Sequence, residues 1–304
     1  MELDLSVEIA GLKLKNPVMN ASGTYDPLRY ESLVDPNLLG AVVLKSLTLN
    51  PREGNPPPRI VEVACGIVNS IGIQNEGVEE FIKVKVPLLR KFKEATFIAS
   101  VAGLTPNEFA EVVEALEGVD IFKAYEINTS CPNLEKGGVN CALDERCIQQ
   151  VTKAVRGKTN KPVIVKLAPD VTDIVAIAKV AVDAGADALT IANTYRALVV
   201  DLKSRKPILH NVTGGLSGPA IKPITLRLVY EVVKALDVPV IASGGITSAN
   251  DALEYLLVGA KAVQIGTMNF VRHDIMIKII EGIKKFMVDE GIKDIKEFIG
   301  TLRT

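Results

Sequence analysis

The feature that most constrains the fold is a regular recurrence of short apolar runs rich in β-branched residues. These runs occupy residues 17–22, 41–46, 96–103, 124–130, 162–169, 188–194, 239–245 and 262–267. Segments with the apolar period of a helix separate most of them, for example residues 107–118, 173–186, 224–236 and 250–260. Strands buried on both faces and alternating with helices are typical of parallel β-α-β units. Eight such units predict a (β/α)8 TIM barrel.

The alternation continues through the chain and predicts one domain, residues 1–304. Length alone suggests about two domains, but α/β barrels of this size commonly form one. An open doubly wound sheet is the alternative, and it would require a glycine-rich fingerprint after the first strand. Residues 20–25 read NASGTY, which is not G-x-G-x-x-G. A single α/β barrel domain is therefore expected.

Three segments depart from the alternation. Residues 3–17 alternate in strand period around Ala10-Gly11, which predicts an N-terminal β-hairpin on the bottom of the barrel. Residues 46–75 and 195–215 are long insertions between a strand and the following helix. Loops of this length are usually functional or carry strands of their own, so we expect loop or hairpin insertions on the top face.

Composition excludes several classes of protein. The formal net charge of the 304-residue chain is -1 and no basic run occurs, which argues against a nucleic-acid partner. No signal peptide and no apolar stretch long enough for a membrane span is present, so we expect a cytoplasmic protein without membrane contact. Four cysteines, at positions 65, 131, 141 and 147, have spacings that predict neither a disulfide framework nor a metal site. We interpret Cys65, Cys141 and Cys147 as reduced structural residues.

The ends of the predicted strands carry polar residues. In a TIM barrel the chemistry lies at the C-terminal ends of the strands. Those ends are Ser22, Lys45, Ser100, Asn128, Lys166, Asn193, Gly244-Gly245 and Gly266-Thr267. Lysines can simply extend their amines into solvent, but two lysines and several amides at one mouth favour a binding site.

Glycine-rich segments follow the last two strands, at residues 243–246 (SGGI) and 265–268 (IGTM), and GGLSGP occupies residues 214–219. Barrels commonly bind phosphate with the loops after strands seven and eight, through backbone N–H groups. A sugar phosphate and FMN are both candidates for the ligand. Lys166 favours FMN, because a cation there would stabilise negative charge on a reduced flavin.

Several motifs, in order, resemble those of the dihydroorotate dehydrogenase family. They are LKS (44–46), NSIGIQN (69–75), NTSCPN (128–133) with its trailing GG, VKLAP (165–169), ANT (192–194), TGGLSGPAIKP (213–223), SGGI and IGT. The resemblance implies an FMN enzyme that oxidises dihydroorotate to orotate in pyrimidine (UMP) biosynthesis. Residues 195–200 (YRALVV) depart from the family pattern, so substrate access or the partner contact is expected to differ there.

The resemblance also implies roles for individual residues. Cys131 would be the general base, with hydride transfer to N5 of FMN. The implied substrate-binding residues are Lys45, Asn69, Ser70, Ile71, Gly72, Ile73, Asn128, Asn133, Asn193 and Thr194. The implied FMN-binding residues are Ser22, Lys45, Ser46, Ser100, Asn128, Lys166, Ala192, Gly218, Gly244, Gly245, Gly266 and Thr267. Cys131 as a small buried hydrophobic residue is the structural alternative.

Within the family, the glycines after Cys131 and the DLKSRKPIL segment (201–209) resemble the NAD-linked class 1B type. That type implies a homodimer joined to two electron-transfer subunits that carry FAD and [2Fe-2S], a heterotetramer. The fumarate-linked class 1A homodimer shares most of the motifs and is the first alternative. A dihydrouridine synthase-like FMN reductase, a Schiff-base lyase or isomerase using Lys45 or Lys166, and a non-catalytic binding subunit are the others.

Overall fold

The computed structural model describes residues 3–129 and 141–303, and the strands and helices below belong to these ranges. The strands are β1 (Val7–Ile9), β2 (Leu12–Leu14), β3 (Val18–Asn20), β4 (Val42–Val43), β5 (Ile60–Val63), β6 (Gly66–Asn69), β7 (Phe97–Val101), β8 (Phe122–Asn128), β9 (Val163–Leu167), β10 (Ala188–Ile191), β11 (Tyr195–Leu198), β12 (Val200–Asp201), β13 (Lys206–Pro207), β14 (Thr213–Ser217), β15 (Val240–Ser243) and β16 (Ala262–Ile265).

The α-helices are α1 (Pro27–Tyr30), α2 (Val78–Glu80), α3 (Val86–Leu89), α4 (Pro106–Glu117), α5 (Glu145–Arg156), α6 (Ile174–Asp183), α7 (Lys222–Ala235), α8 (Ala249–Leu257), α9 (Met268–Val271) and α10 (Ile275–Asp289). A π-helical segment, Phe81–Lys85, joins α2 to α3. Short 3-10 helices lie at Pro36–Leu38, Cys141–Leu143, Pro219–Ile221 and Ile295–Glu297. None of the described helices combines the length and apolar character that a membrane span requires.

An eight-stranded parallel sheet forms the centre of the molecule, in the order β3-β16-β15-β10-β9-β8-β7-β4. A parallel bridge between Met19 and Ala41 brings the two end strands, β3 and β4, together. The strands are buried along nearly their whole length, as parallel strands covered by helices must be. The (β/α)8 barrel predicted from the alternation is confirmed.

Helix starts follow local sequence signals. Thr105, Asp144, Asp173 and Ser248 are the N-caps of α4, α5, α6 and α8, and each side chain accepts a hydrogen bond from a backbone N–H of the first turn. Pro106 occupies the first position of α4, where the missing N–H costs nothing. α4, α6 and α8 therefore begin a few residues after the strands that precede them, β7, β9 and β15.

The two long insertions form one structure. Strands β5 and β6 come from the first insertion and β11 and β14 from the second, and they pair antiparallel in the order β11-β14-β6-β5. Asn69 lies opposite Gly215 in this sheet. A separate hairpin, β12–β13, extends from the second insertion. The sequence predicted insertions with strands of their own, and the tertiary structure joins them into a single sheet.

The N-terminal hairpin is present as predicted, with β1 and β2 joined by Ala10 and Gly11 at positive φ. After the hairpin, the Lys15 amine donates to the backbone carbonyls of Asn37 and Glu94, which precede β4 and β7. The hairpin therefore lies at the N-terminal end of the barrel strands, opposite the predicted site.

One interpretation of the cysteines is wrong, namely that Cys141 and Cys147 are reduced. Cys141 and Cys147 form a disulfide, because the 3-10 helix before α5 and the first turn of α5 bring their Cα atoms to 5.1 Å. The spacing of the cysteines gave no sign of this local approach. Cys65 is free, as predicted, and it lies exposed at the turn between β5 and β6.

Candidate active site

A cavity of about 410 Å³ lies at the C-terminal ends of the barrel strands, beside the second sheet. It brings together most of the residues that the sequence singled out. Those residues are Ser22, Lys45, Ser46, Asn69, Ile71, Gly72, Ile73, Asn128, Lys166, Ala192, Asn193, Thr194, Gly218, Gly244, Gly245, Gly266 and Thr267. They come from segments that span most of the chain, and only the barrel places them around one space.

Two of the predicted residues lie behind the cavity wall. Ser100 is buried and its hydroxyl is 2.8 Å from that of Ser46, which does line the cavity. Ser70 is also buried, and its hydroxyl accepts a hydrogen bond from Asn55 at 2.9 Å. Both support the wall from behind. Cys131 and Asn133 lie outside the described residues.

Hydroxyl and amide groups form a connected chain across the mouth of the barrel. The Asn128 amide donates to the Ser46 hydroxyl at 3.3 Å, and the Asn193 amide donates to the Asn128 side-chain oxygen at 3.3 Å. The backbone N–H of Thr194 donates to the Asn193 side-chain oxygen at 2.8 Å. These contacts fix which edge of each amide faces the cavity. A planar ligand with its own donors and acceptors would therefore meet a preset pattern.

Lys166 approaches the cavity from the barrel interior. Its side chain is 7% exposed and its amine donates to the Gln264 side-chain oxygen at 2.9 Å. The Glu126 carboxylate lies 3.8 Å from the same amine. The ammonium is thus held at the floor of the cavity, where it can stabilise negative charge on a ligand.

Backbone without side chains forms the wall on the side of the last two strands. Gly245 has φ +68°, and a Cβ there would lie 2.6 Å from the backbone nitrogen of Lys222. Gly218 has φ +108°, and a Cβ there would lie 2.6 Å from the Cα of Gly66. Only glycine fits at either position, and the result is a cradle in which a ligand can reach the backbone closely.

Side chains behind this cradle hold it in place. The Tyr255 hydroxyl donates to the Gly244 carbonyl at 2.7 Å, and burial raises the pKa of Tyr255, which keeps this donor protonated. Burial also tends to raise the pKa of Asp251, but hydrogen bonds from Lys222, Thr247 and Ser248 outweigh it and lower that pKa to about 2. Asp251 therefore remains a carboxylate that ties the loop after β15 to Lys222.

Sequence reasoning missed several residues of the wall. Arg59 and Gln74 line the cavity and are joined by a hydrogen bond of 2.6 Å from the guanidinium. Phe270, half exposed on α9, lines it from the other side. Ser217 also lines it, and its hydroxyl accepts a 2.8 Å hydrogen bond from Thr267. Gln74 is part of the NSIGIQN segment (69–75), and its place there is the signal that could have pointed to it and to Arg59, its hydrogen-bond donor.

Comparison with known proteins gives a consistent result. The family model described as dihydroorotate dehydrogenase matches residues 4–287. A Thermoanaerobacter pseudethanolicus protein named dihydroorotate dehydrogenase B (NAD(+)), catalytic subunit, is 50% identical over 302 residues, which cover 99% of both chains. A Pelobacter propionicus protein of the same name is 48% identical over 303 residues, again 99% of both chains. A crystal structure of dihydroorotate dehydrogenase from Eimeria tenella, in complex with ferulenol, has a TM-score of 0.80 at 24% identity. The matched region covers 98% of this chain and 88% of the Eimeria tenella chain, and the likeness supports the barrel fold.

Proposed function

The chain belongs to the dihydroorotate dehydrogenase family, a family of oxidoreductases, and from that premise we propose that it oxidises dihydroorotate to orotate with FMN as its bound cofactor. One observation carries the proposal. A single cavity combines a glycine cradle, a buried lysine and a fixed set of amides. The backbone N–H groups of the cradle can bind a phosphate, and the lysine can stabilise negative charge on a ring. The amides can donate to and accept from the imide edges of a second ring.

The residues present fit FMN. Gly218, Gly244 and Gly245 would hold the phosphate through their backbone, with Gly266 and Thr267 completing the loop after β16. Lys166 would face the ring, and Ser22, Ser46 and Ala192 lie on the same cavity wall. When bound, the flavin supplies a hydride acceptor at N5. One FMN-binding barrel domain, with Ser100 behind its wall, is part of this proposal.

The amides and Lys45 would bind the substrate. Dihydroorotate carries a carboxylate and ring N–H and C=O groups, and an asparagine side chain can both donate to and accept from such edges. Asn69, Asn128 and Asn193 line the cavity, and Asn133 is proposed to join them. Thr194 and the backbone of residues 70–73 would close the pocket around the ring. Lys45 supplies the positive charge that the substrate carboxylate requires.

Cys131 is proposed as the general base that removes the proton from the ring carbon next to the one that loses hydride. The base needs to lie within about 3 Å of that proton in the bound complex. A thiolate can serve where nearby cations or oriented N–H groups lower the thiol pKa. Asn128 ends β8 at the cavity, and Cys131 follows it by three residues, which supports a position close to the substrate.

The names of the relatives support NAD as the electron acceptor. They are named NAD(+)-linked catalytic subunits, and a catalytic subunit implies a second subunit. We propose that electrons pass to NAD through a partner that carries FAD and [2Fe-2S], in a heterotetramer built on a homodimer of this chain. A cytoplasmic location belongs to the same proposal, because NAD and nucleotide precursors are cytoplasmic metabolites.

A spectroscopic experiment tests the proposal. The purified chain should show a flavin band near about 450 nm and release FMN on denaturation. Anaerobic dihydroorotate should bleach the band. Reoxidation by NAD only when the co-purified partner is present would support the class 1B assignment, and reoxidation of the chain alone by fumarate would replace it with class 1A. A colourless chain that binds no FMN would remove the proposal.

A further inference from the structure

One layer of the barrel interior is polar where an apolar layer is expected. Glu126, Thr190 and Gln264 lie on β8, β10 and β16, the fourth, sixth and eighth strands of the barrel, and none is more than 1% exposed. The side chains of one barrel layer come from alternate strands and are usually bulky and apolar. A glutamate is almost never fully buried unless it is paired. We call these three residues the polar layer.

Hydrogen bonds join the three side chains of the polar layer to one another and to the ammonium of Lys166. One carboxylate oxygen of Glu126, Oε2, accepts hydrogen bonds from Thr190 Oγ1 at 2.9 Å and from the Gln264 amide nitrogen. The Gln264 side-chain oxygen accepts from Lys166 Nζ at 2.9 Å. Gln264 is therefore fixed in one orientation, because its nitrogen faces a carboxylate and its oxygen faces an ammonium.

The second carboxylate oxygen has a different environment. Glu126 Oε1 is buried and has no hydrogen-bond partner among the described residues, and it lies 3.8 Å from Lys166 Nζ. The ammonium is thus drawn toward Glu126 but held by Gln264 at a separation longer than a hydrogen bond. Its opposite side is at the cavity floor.

Stability alone does not account for this arrangement. Replacing a buried ion pair with well-packed apolar residues is often neutral or stabilising, so the fold by itself has no need of it. The polar layer contacts Lys166, the one buried lysine among the described residues that line the cavity. A lysine in that place raises the reduction potential of a bound flavin, because its charge stabilises the reduced ring. A carboxylate behind the lysine opposes that effect.

We propose that Glu126 and Gln264 are positioning residues that set the reduction potential of the flavin through Lys166, Glu126 by partly compensating the ammonium charge and Gln264 by holding the ammonium at the cavity. This inference rests on the proposed binding of FMN. Glu126 and Gln264 lie below Lys166, and neither lines the cavity. They therefore act on the ligand through Lys166.

Two variants test the proposal, and they should shift the midpoint potential of bound FMN in opposite directions. Glu126→Gln removes the compensating charge in an isosteric side chain and should shift the midpoint potential of the bound FMN positive. We expect about a tenfold change in the equilibrium constant for two-electron reduction, which corresponds to about 30 mV. Gln264→Leu leaves both charges but removes the tether, so the ammonium moves toward Glu126 and the potential shifts negative.

Glu117→Gln is the matched control. Glu117 is a half-buried carboxylate that accepts a hydrogen bond from Tyr125, the neighbour of Glu126 on β8, and it does not contact Lys166. It should leave the potential unchanged. The potentials are measured by spectroelectrochemical titration of the FMN-loaded protein. If the midpoint potential of Glu126→Gln is unchanged or shifts negative, the role of Glu126 is overturned. If that variant does not fold, Gln264→Leu decides: a potential that is unchanged or shifts positive overturns the inference. A wild-type chain that binds no FMN removes the proposed function instead.

Discussion

The lower and upper parts of the barrel interior are built from the same strands but from different residues. Three pairs of residues show this difference. The members of each pair are two positions apart on one strand, so they point to the same face of the sheet. The pairs are Ile98 and Ser100, Ile164 and Lys166, and Ile241 and Ser243. We call the three isoleucines the lower interior, and the three residues above them together with the polar layer the upper interior.

The difference separates residues that only stabilise the fold from residues that also determine the properties of the cavity. The lower interior is buried and apolar, so hydrophobic burial and close packing alone stabilise it. The upper interior buries hydroxyls, an amide and two opposite charges. Hydrogen bonds of Ser100 with Ser46, of Lys166 with Gln264 and of Thr190 with Glu126 offset the cost of burying these polar groups. Substitutions below should change the free energy of unfolding, whereas substitutions above should also change what the cavity does.

The largest effect is expected at the proposed base, Cys131, which follows the end of β8 by three residues in the sequence. Cys131→Ala should slow reduction of bound FMN by dihydroorotate by about 10²–10⁴-fold near neutral pH, because general base catalysis is lost. FMN content should not change. Stopped-flow reduction under anaerobic conditions measures the rate, and Cys65→Ala, which alters an exposed free cysteine, is the control. A rate equal to that of the wild type would exclude Cys131 from the mechanism.

The ion pair of the upper interior should behave as a unit. Lys166→Met leaves Glu126 buried without its cation and should lower the free energy of unfolding by about 3–5 kcal/mol. Adding Glu126→Gln should recover a large part of that loss, because no uncompensated charge then remains. Denaturant unfolding of the two single variants and the double variant gives the coupling. Strictly additive effects would show that the two groups stabilise the fold independently.

A truncation in the lower interior should affect stability alone. Ile164→Ala removes buried methyl groups below Lys166 and should lower the free energy of unfolding by about 2–5 kcal/mol. Ile164→Val is the graded control and should lose about 0.5–1.5 kcal/mol. The midpoint potential of bound FMN should stay at the wild-type value in both variants. A potential that moves with Ile164 would mean that the two parts of the interior are not separable.

The smallest effect is expected at a carboxylate–lysine pair outside the barrel interior. Asp251 has a folded pKa of about 2, below its ordinary 3.8, so its contribution to stability is present above pH 3.8 and is lost as pH falls toward 2. Asp251→Asn should lower the free energy of unfolding by about 1 kcal/mol at pH 6, since hydrogen bonds to the charged carboxylate are weakened. The difference from wild type should shrink at pH 2. Urea unfolding at both pH values measures it, and a difference that grows at low pH would contradict the sign.

Much of the fold and part of the site followed from local pattern. The alternation of apolar runs and helical segments predicted the barrel, whereas the N-caps Thr105 and Asp144 were identified only in the structure. The rim residues Lys45, Asn128 and Lys166 were found because a parallel barrel gathers its strand ends at one face. Arg59 and Phe270 were not found, because they reach the cavity from an insertion and from a short helix after the last strand.

The sequence by itself determined the barrel, the glycine cradle and the family, since periodicity, turn residues and motifs are local properties of the chain. The tertiary structure alone decided which distant segments meet. It pairs Asn69 with Gly215, and it brings Gln264 to Glu126 across the barrel. The physical reason is that parallel barrel strands are buried on both faces, so the sequence does not reveal which residues face inward. Only closure of the sheet shows that Glu126, Gln264 and Lys166 share one interior.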